Sequence, residues 1–146
     1  MVAGACGFIG SAFCRVAKKA GYQIFAFDSL TYAGDLVSIA GFYDYFVRGD
    51  ICLKHDLGEV LPKVDAIVSW AAGTHVDRSR KDVNPFIETN VHGVQNLIEG
   101  CLKFNLPIVC VSSDEVYGPI PVGQFINEDG PLRPQNGYSA TKAAGD

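Results

Sequence analysis

A chain of 146 residues has the length of one ordinary domain. Hydrophobic residues make up 48% and charged residues 19%, a composition that excludes a disordered tail and suits a well-buried core. A net charge of -4 lacks the basic footprint of a nucleic-acid binder, and no apolar run approaches the ~18 residues of a membrane span.

The opening Met1-Val2-Ala3-Gly4 has no basic stretch before an apolar one, so the expectation is a cytoplasmic protein without a signal peptide. Cys6, Cys14, Cys52, Cys101 and Cys110 are odd in number and form no CxxC pair. They read as buried free thiols of a reducing compartment. His55, His75 and His92 show no metal-ligand spacing, so no metal site is expected.

Val2 and Ala3 form the stub of a first strand, followed by a glycine-rich turn. A helix is expected from about Phe8 to Ala20, with Ile9, Phe13, Val16 and Ala20 on its apolar face and Gly21 as its stop. Tyr22 to Phe27 reads as a buried strand ending at Asp28, then a loop to Gly34 and a weak helix near Asp35 to Ala40. Tyr45 to Arg48 is a third strand, His55 to Leu61 a short helix, and Asp65 to Trp70 a fourth strand. The stretch Gly73 to Val83 is polar and charged and reads as loop. Asn84-Pro85 looks like a cap and first helical position for a helix to Phe104, with Ile87, Val91, Val94, Ile98 and Cys101 as its stripe. Pro107 to Val111 is a further buried strand. A Gly- and Pro-rich loop over 113 to 136 precedes a last helix near Tyr138. This alternation predicts an α/β fold with a doubly wound parallel sheet. The short first strand and the short last helix suggest a fragment, incomplete at both ends.

Gly4-Ala5-Cys6-Gly7-Phe8-Ile9-Gly10 follows the pattern GxxGxxG between strand and helix. Glycines allow a tight turn and close backbone approach, and the helix N-terminus offers N–H groups to a pyrophosphate. Asp28, at the end of the next strand, can accept hydrogen bonds from ribose hydroxyls and would repel a 2′-phosphate. No Arg or Lys follows within ten residues, which favours NAD over NADP. Tyr138 and Lys142 lie four apart on one helical face, where an ammonium favours a phenolate able to act as a base. Ser113, Asp114 and Glu115 follow a strand end, where ligands of such sheets bind. Ser113 can bond a substrate hydroxyl, and the adjacent carboxylates can serve as one acid and one base. The plain alternatives are a ligand-free turn, a solvated aspartate, an exposed helical pair and an acidic loop.

Taken together, these residues resemble the extended short-chain dehydrogenase/reductase family, most closely its dTDP-glucose 4,6-dehydratase branch. The likeness runs along the whole chain: the glycine turn, Asp28 to Gly34, Gly49-Asp50-Ile51, Ala71-Ala72, Thr74 to Ser79, Glu88 to Val91, Ser113 to Gly118, and Tyr138 to Lys142. It implies a Rossmann-type NAD-binding domain over 1–146, without the nucleotide-sugar domain that follows in the family, and a homodimer at full length. It also implies cofactor contacts from Gly4, Gly7, Phe8, Ile9, Gly10, Asp28, Asp50, Ile51, Ala71, Ala72, Tyr138 and Lys142. Asn90 matches a structural asparagine behind the cofactor. Thr74, His75, Ser113, Asp114 and Glu115 would face the substrate, dTDP-glucose. Tyr138 would deprotonate the sugar 4-hydroxyl, Glu115 would remove the C5 proton, and Asp114 would protonate the leaving C6 hydroxyl. Ala3, Ser69, Trp70 and Gly73 depart from the family pattern. A nucleotide-sugar epimerase or decarboxylase, or an inactive NAD-binding remnant, are the other readings.

Overall fold

A computed structural model describes all residues, Met1–Asp146. Five parallel strands form one sheet: β1 (Val2–Ala3), β2 (Phe25–Asp28), β3 (Tyr45–Arg48), β4 (Ile67–Ser69) and β5 (Ile108–Cys110), in the order β3-β2-β1-β4-β5. The α/β, doubly wound expectation holds. The two residues of β1 lie at the centre of the sheet. Val2 pairs with Ala26 on one side and Val68 on the other, and both of its residues are buried. The strand order reverses on either side of β1, which opens a crevice beyond the carboxyl ends of β1 and β4.

Helices cover both faces. On one, α1 (Phe8–Lys19) and a 3-10 turn (Leu36–Ile39) pack on Val2, Ala26 and Cys6. On the other, α2 (Lys54–Val60) and α5 (Val94–Phe104) enclose Phe27, Ile67, Leu97 and Leu57. The remaining helices are α3 (Val76–Lys81), α4 (Asn84–Ile87) and α6 (Gly137–Gly145). No helix is long and apolar enough to cross a membrane.

Four expectations need correction. The buried side of α1 is Gly10, Ser11, Cys14 and Ala17, while Ile9 and Val16 are exposed. The helix lies so close to β1 that only small residues fit beneath it. Residues 73–83 contain α3, whose polar composition hides its period. The long helix is split by a π turn over Glu88–Gly93. The extra residue shifts the phase, so Phe86, Asn90, Gly93 and Leu97 are buried while Ile98 is exposed. Finally, β5 is an edge strand with Val109 exposed, and Cys110 is exposed rather than buried.

Candidate functional site

A cavity of about 470 Å³ opens at the carboxyl ends of β1, β2 and β4, within the range of small-molecule sites. Its floor is the glycine turn. Gly4 has φ +71°, and a Cβ there would sit 2.6 Å from the Ala71 nitrogen. A Cβ on Gly10 would collide with the Gly4 carbonyl, so α1 can lie against the turn only with glycine at this point. No side chain caps α1, and its first turn holds no acid. The first-turn N–H groups and the positive end of the helix dipole are thus left for an anion. Gly4 and Gly7 line the cavity. Phe8 and Ile9 do not; their side chains are exposed, and only their backbone is on offer.

Asp28 ends β2 almost wholly buried. Its Oδ2 accepts the Cys6 N–H at 2.8 Å and its Oδ1 the Leu30 N–H at 2.8 Å. One carboxylate therefore braces both the glycine turn and the loop after β2, including Leu30 at φ +53°. Asp28 also lines the cavity, where a 2′-phosphate would meet like charge. Asp50 holds its own loop: its N–H donates to Asp56 Oδ2 at 2.8 Å, and its Oδ1 accepts the Cys52 N–H at 2.9 Å. Ile51 is buried beside it.

Ala71, Ala72, Gly73 and Thr74 form the opposite wall. Asn90, 1% exposed, fixes that wall from the π turn. Its Oδ1 accepts the Gly73 N–H at 2.8 Å, and its Nδ2 donates to the Gly73 carbonyl at 3.1 Å and to Thr141 Oγ1 at 3.0 Å. The last bond links the wall to α6. A Cβ on Gly73 would lie 3.0 Å from the Phe86 ring, so a side chain at this position would require that ring to shift. Trp70 lines the cavity and packs on Phe13 at 5.6 Å between ring centroids; its indole N–H is buried without a partner. Two further lining residues had no assigned role in the sequence. Arg78 of α3 lies over the Tyr32 ring, 3.8 Å from its centroid. Only the polar run around Arg78 hinted at this pairing. His75 is exposed and lies outside the lining.

A second cavity of about 390 Å³ is lined by Asp114, Glu115, Gly118, Gln135 and Asn136, among others. Ser113 caps a 3-10 turn over Asp114–Tyr117, its Oγ accepting the Glu115 N–H at 3.2 Å. Glu115 Oε2 accepts a hydrogen bond from Asn136 Nδ2 at 2.8 Å. The same Asn136 caps α6 through its Oδ1, which accepts the Ser139 N–H at 2.8 Å, in a reciprocal capping box. The Tyr138 N–H, next in that first turn, donates to Ser79 Oγ of α3 at 3.0 Å. Lys142 is buried, which lowers its pKa from the ordinary 10.5. Its ammonium donates to the Val111 carbonyl at 2.6 Å rather than to Tyr138.

The first cavity thus gathers Gly4, Gly7, Asp28, Asp50, Ile51 and the Ala71–Thr74 wall, and the second gathers Asp114 and Glu115. Ser113, Tyr138 and Lys142 line neither. Ser113 is held by the Glu115 N–H, Tyr138 by Ser79 and Lys142 by the Val111 carbonyl.

The family model described as the NAD dependent epimerase/dehydratase family matches residues 1–146. The low-salt glycan biosynthesis protein Agl12 of Haloferax volcanii is 42% identical over all of this chain and 49% of its own length. A dTDP-glucose 4,6-dehydratase of Streptomyces niveus is 42% identical over all of this chain and 46% of its own length. Among solved structures, the dTDP-glucose 4,6-dehydratase DesIV of Streptomyces venezuelae, with NAD and TYD bound, superposes with a TM-score of 0.92 at 40% identity. That match covers 99% of this chain and 48% of DesIV. The chain spans about half the length of the curated relatives it matches.

Proposed function

The chain belongs to the NAD-dependent epimerase/dehydratase family, and on that premise we propose that it carries the NAD-binding part of a dTDP-glucose 4,6-dehydratase. The observation behind this reading is the 2.8 Å bond from Asn136 to Glu115, which ties a carboxylate pair to the helix of Tyr138 and Lys142. Epimerisation at C4 requires no second acid and base; loss of water across C5 and C6 requires both. The likeness to the Streptomyces dehydratases supports the same choice.

The first cavity fits a dinucleotide. A side chain at Gly4 or Gly10 would collide with the chain's own backbone, so the turn stays bare, and α1 begins uncapped beside it. Gly4, Gly7 and Gly10, with the backbone of Phe8 and Ile9, would hold the pyrophosphate. Asp28 would take the adenosine ribose, Asp50 and Ile51 the adenine, and Ala71 and Ala72 the phosphate and ribose region. Bound NAD supplies the hydride acceptor for C4 and, once reduced, the hydride donor for C6.

The chain's own residues handle the protons. Tyr138 takes the proton of the sugar 4-hydroxyl, with Ser113 as a contact to that hydroxyl. Lys142 binds the nicotinamide ribose and supplies positive charge one helical turn from Tyr138. The C4 ketone acidifies the C5 proton, which Glu115 removes. Asp114 protonates the departing C6 hydroxyl, and return of a proton to C5, with hydride at C6, would give a 4-keto-6-deoxy sugar. Thr74 and His75 belong to the substrate side. Exposed Ile98 and Leu102 on α5 supply an apolar face for a homodimer.

The test is incubation of the purified full-length protein with dTDP-glucose. The expected product is the 4-keto-6-deoxy sugar, with the C5 proton exchanged for solvent. Formation of dTDP-galactose would replace this reading with an epimerase. A calorimetric titration with NAD tests the cofactor separately, since absence of binding to folded protein would overturn the NAD assignment.

A further inference from the structure

Asp28, Asp50 and Asp82 line the first cavity, and Arg78 is the single cation among its lining residues. Each of these carboxylates accepts a backbone N–H: Asp28 from Cys6 and Leu30, Asp50 from Cys52, and Asp82 from Asn84 at 3.0 Å. Arg78 takes part in none of the chain's ion pairs, which join Lys18 to Asp44, Lys54 to Glu99, and two histidines to glutamates. Its contact is instead with the Tyr32 ring, reached from the loop after β2 across the cavity mouth.

We propose that Arg78, steadied by Tyr32, is the pyrophosphate-binding cation of this cavity. The inference rests on the reading of the cavity as a dinucleotide site and adds to it the group that makes entry of an anion favourable. A pyrophosphate diester carries a double negative charge into a space already bordered by three carboxylates. The start of α1 offers a partial positive charge of only about half an elementary charge. Arg78 is the one full positive charge that the lining sets against this repulsion.

The geometry suits that task. A guanidinium stacked on an aromatic ring uses its face for the stack and keeps its N–H edges open. Two parallel N–H groups then match two phosphate oxygens, which a lysine ammonium cannot do. The backbone beneath Arg78 is firmly held although its head group is exposed. The adjacent Ser79 is buried, donates to the Val76 carbonyl at 2.7 Å and accepts the Tyr138 N–H at 3.0 Å.

The test compares wild type with Arg78→Met, Arg78→Lys, Tyr32→Leu and Tyr32→Phe, each first checked for an unchanged unfolding midpoint. The probes are inorganic pyrophosphate, NAD and dTDP-glucose, titrated at two salt concentrations. Arg78→Met is expected to weaken pyrophosphate binding by about tenfold, a loss that shrinks at high salt. Arg78→Lys should recover only part of it, Tyr32→Leu should lose a few-fold, and Tyr32→Phe should match wild type. A loss confined to NAD assigns the dinucleotide's pyrophosphate to Arg78, and a loss confined to dTDP-glucose assigns the sugar nucleotide's. Wild-type affinity for pyrophosphate in Arg78→Met, or no pyrophosphate binding by wild type, overturns the proposal. Pyrophosphate binding lost in Arg78→Met without any NAD binding by wild type would keep Arg78 as an anion site and overturn the dinucleotide reading. NAD and dTDP-glucose affinities both untouched by the substitution would overturn the proposal and leave the dinucleotide reading standing.

Discussion

Around the first cavity the walls are strand ends, and their polar groups are held by several independent bonds. Asp28 braces two loops, Asp50 closes its own, and Asn90 clamps Gly73 from the far side. Around the second cavity the walls are one long loop and the first turn of α6, and Glu115 is held to α6 by one amide, that of Asn136. The walls of the first cavity are therefore held redundantly, whereas the Glu115 carboxylate is held by a single side chain. Damage to one wall residue should weaken the first cavity gradually, and a comparable change should disable the second.

The largest effect that would sharpen this contrast is Glu115→Gln in the active protein. Exchange of the C5 proton with solvent should fall by roughly 10²–10⁴-fold, while NAD affinity stays unchanged. Unaltered exchange in that variant would remove Glu115 from its role. Next comes Gly10→Ala, which drives a methyl group into the Gly4 carbonyl. It should cost about 3 kcal/mol or more in denaturant unfolding and abolish NAD binding. Asn90→Ala leaves the Gly73 amide and carbonyl without their partner, and about 2 kcal/mol of destabilisation is expected from the same measurement. Redundancy predicts that its NAD affinity falls less than that of Gly10→Ala. Asn136→Ala removes a helix cap worth about 1 kcal/mol, and Asn136→Ser should restore that stability without restoring turnover.

The mildest effect is alkaline. Burial pushes the Cys6 and Cys52 thiols up to about 12 and Cys14 up to about 11, from an ordinary 9.0. Between pH 9.0 and about 12 the folded chain keeps protons that the unfolded chain has lost, so stability falls as pH rises across that window. Lys142, lowered by burial, opposes this below 10.5, but it is one group against five, since burial also raises Cys101 and Cys110. Equilibrium unfolding measured across this range should show the decline, and Cys14→Ala should flatten it.

The strands were legible because each is a short apolar run, and Tyr45–Arg48 lies where the sequence puts it. The glycine turn was legible for a related reason: its signal is local, three glycines between a strand and a helix. The face of α1 was not, because hydrophobic periodicity assumes that large residues point inward. Here Gly10, Cys14 and Ala17 do so, and the larger Ile9 and Val16 stay outside. The site residues that escaped notice are those defined by partners far along the chain. Tyr32 meets Arg78, Ser79 meets Tyr138, and Glu115 meets Asn136 only after folding. No spacing rule connects such pairs, since each depends on the sheet order that brings separate loops to one edge.

The π turn over Glu88–Gly93 joins two helical stretches with different obligations. Before it, Pro85 and Phe86 border the first cavity, as Thr89 does within it; after it, Leu97 and Cys101 settle into the core. One residue in an α-helix corresponds to a rotation of about 100°. Deleting any residue of the turn would leave composition nearly intact and yet swing one stretch away from its neighbours. What this segment must conserve is a count. Substitutions within it are survivable wherever the side chain is exposed, while a loss of three nucleotides from its coding sequence would detach the cavity wall from the core.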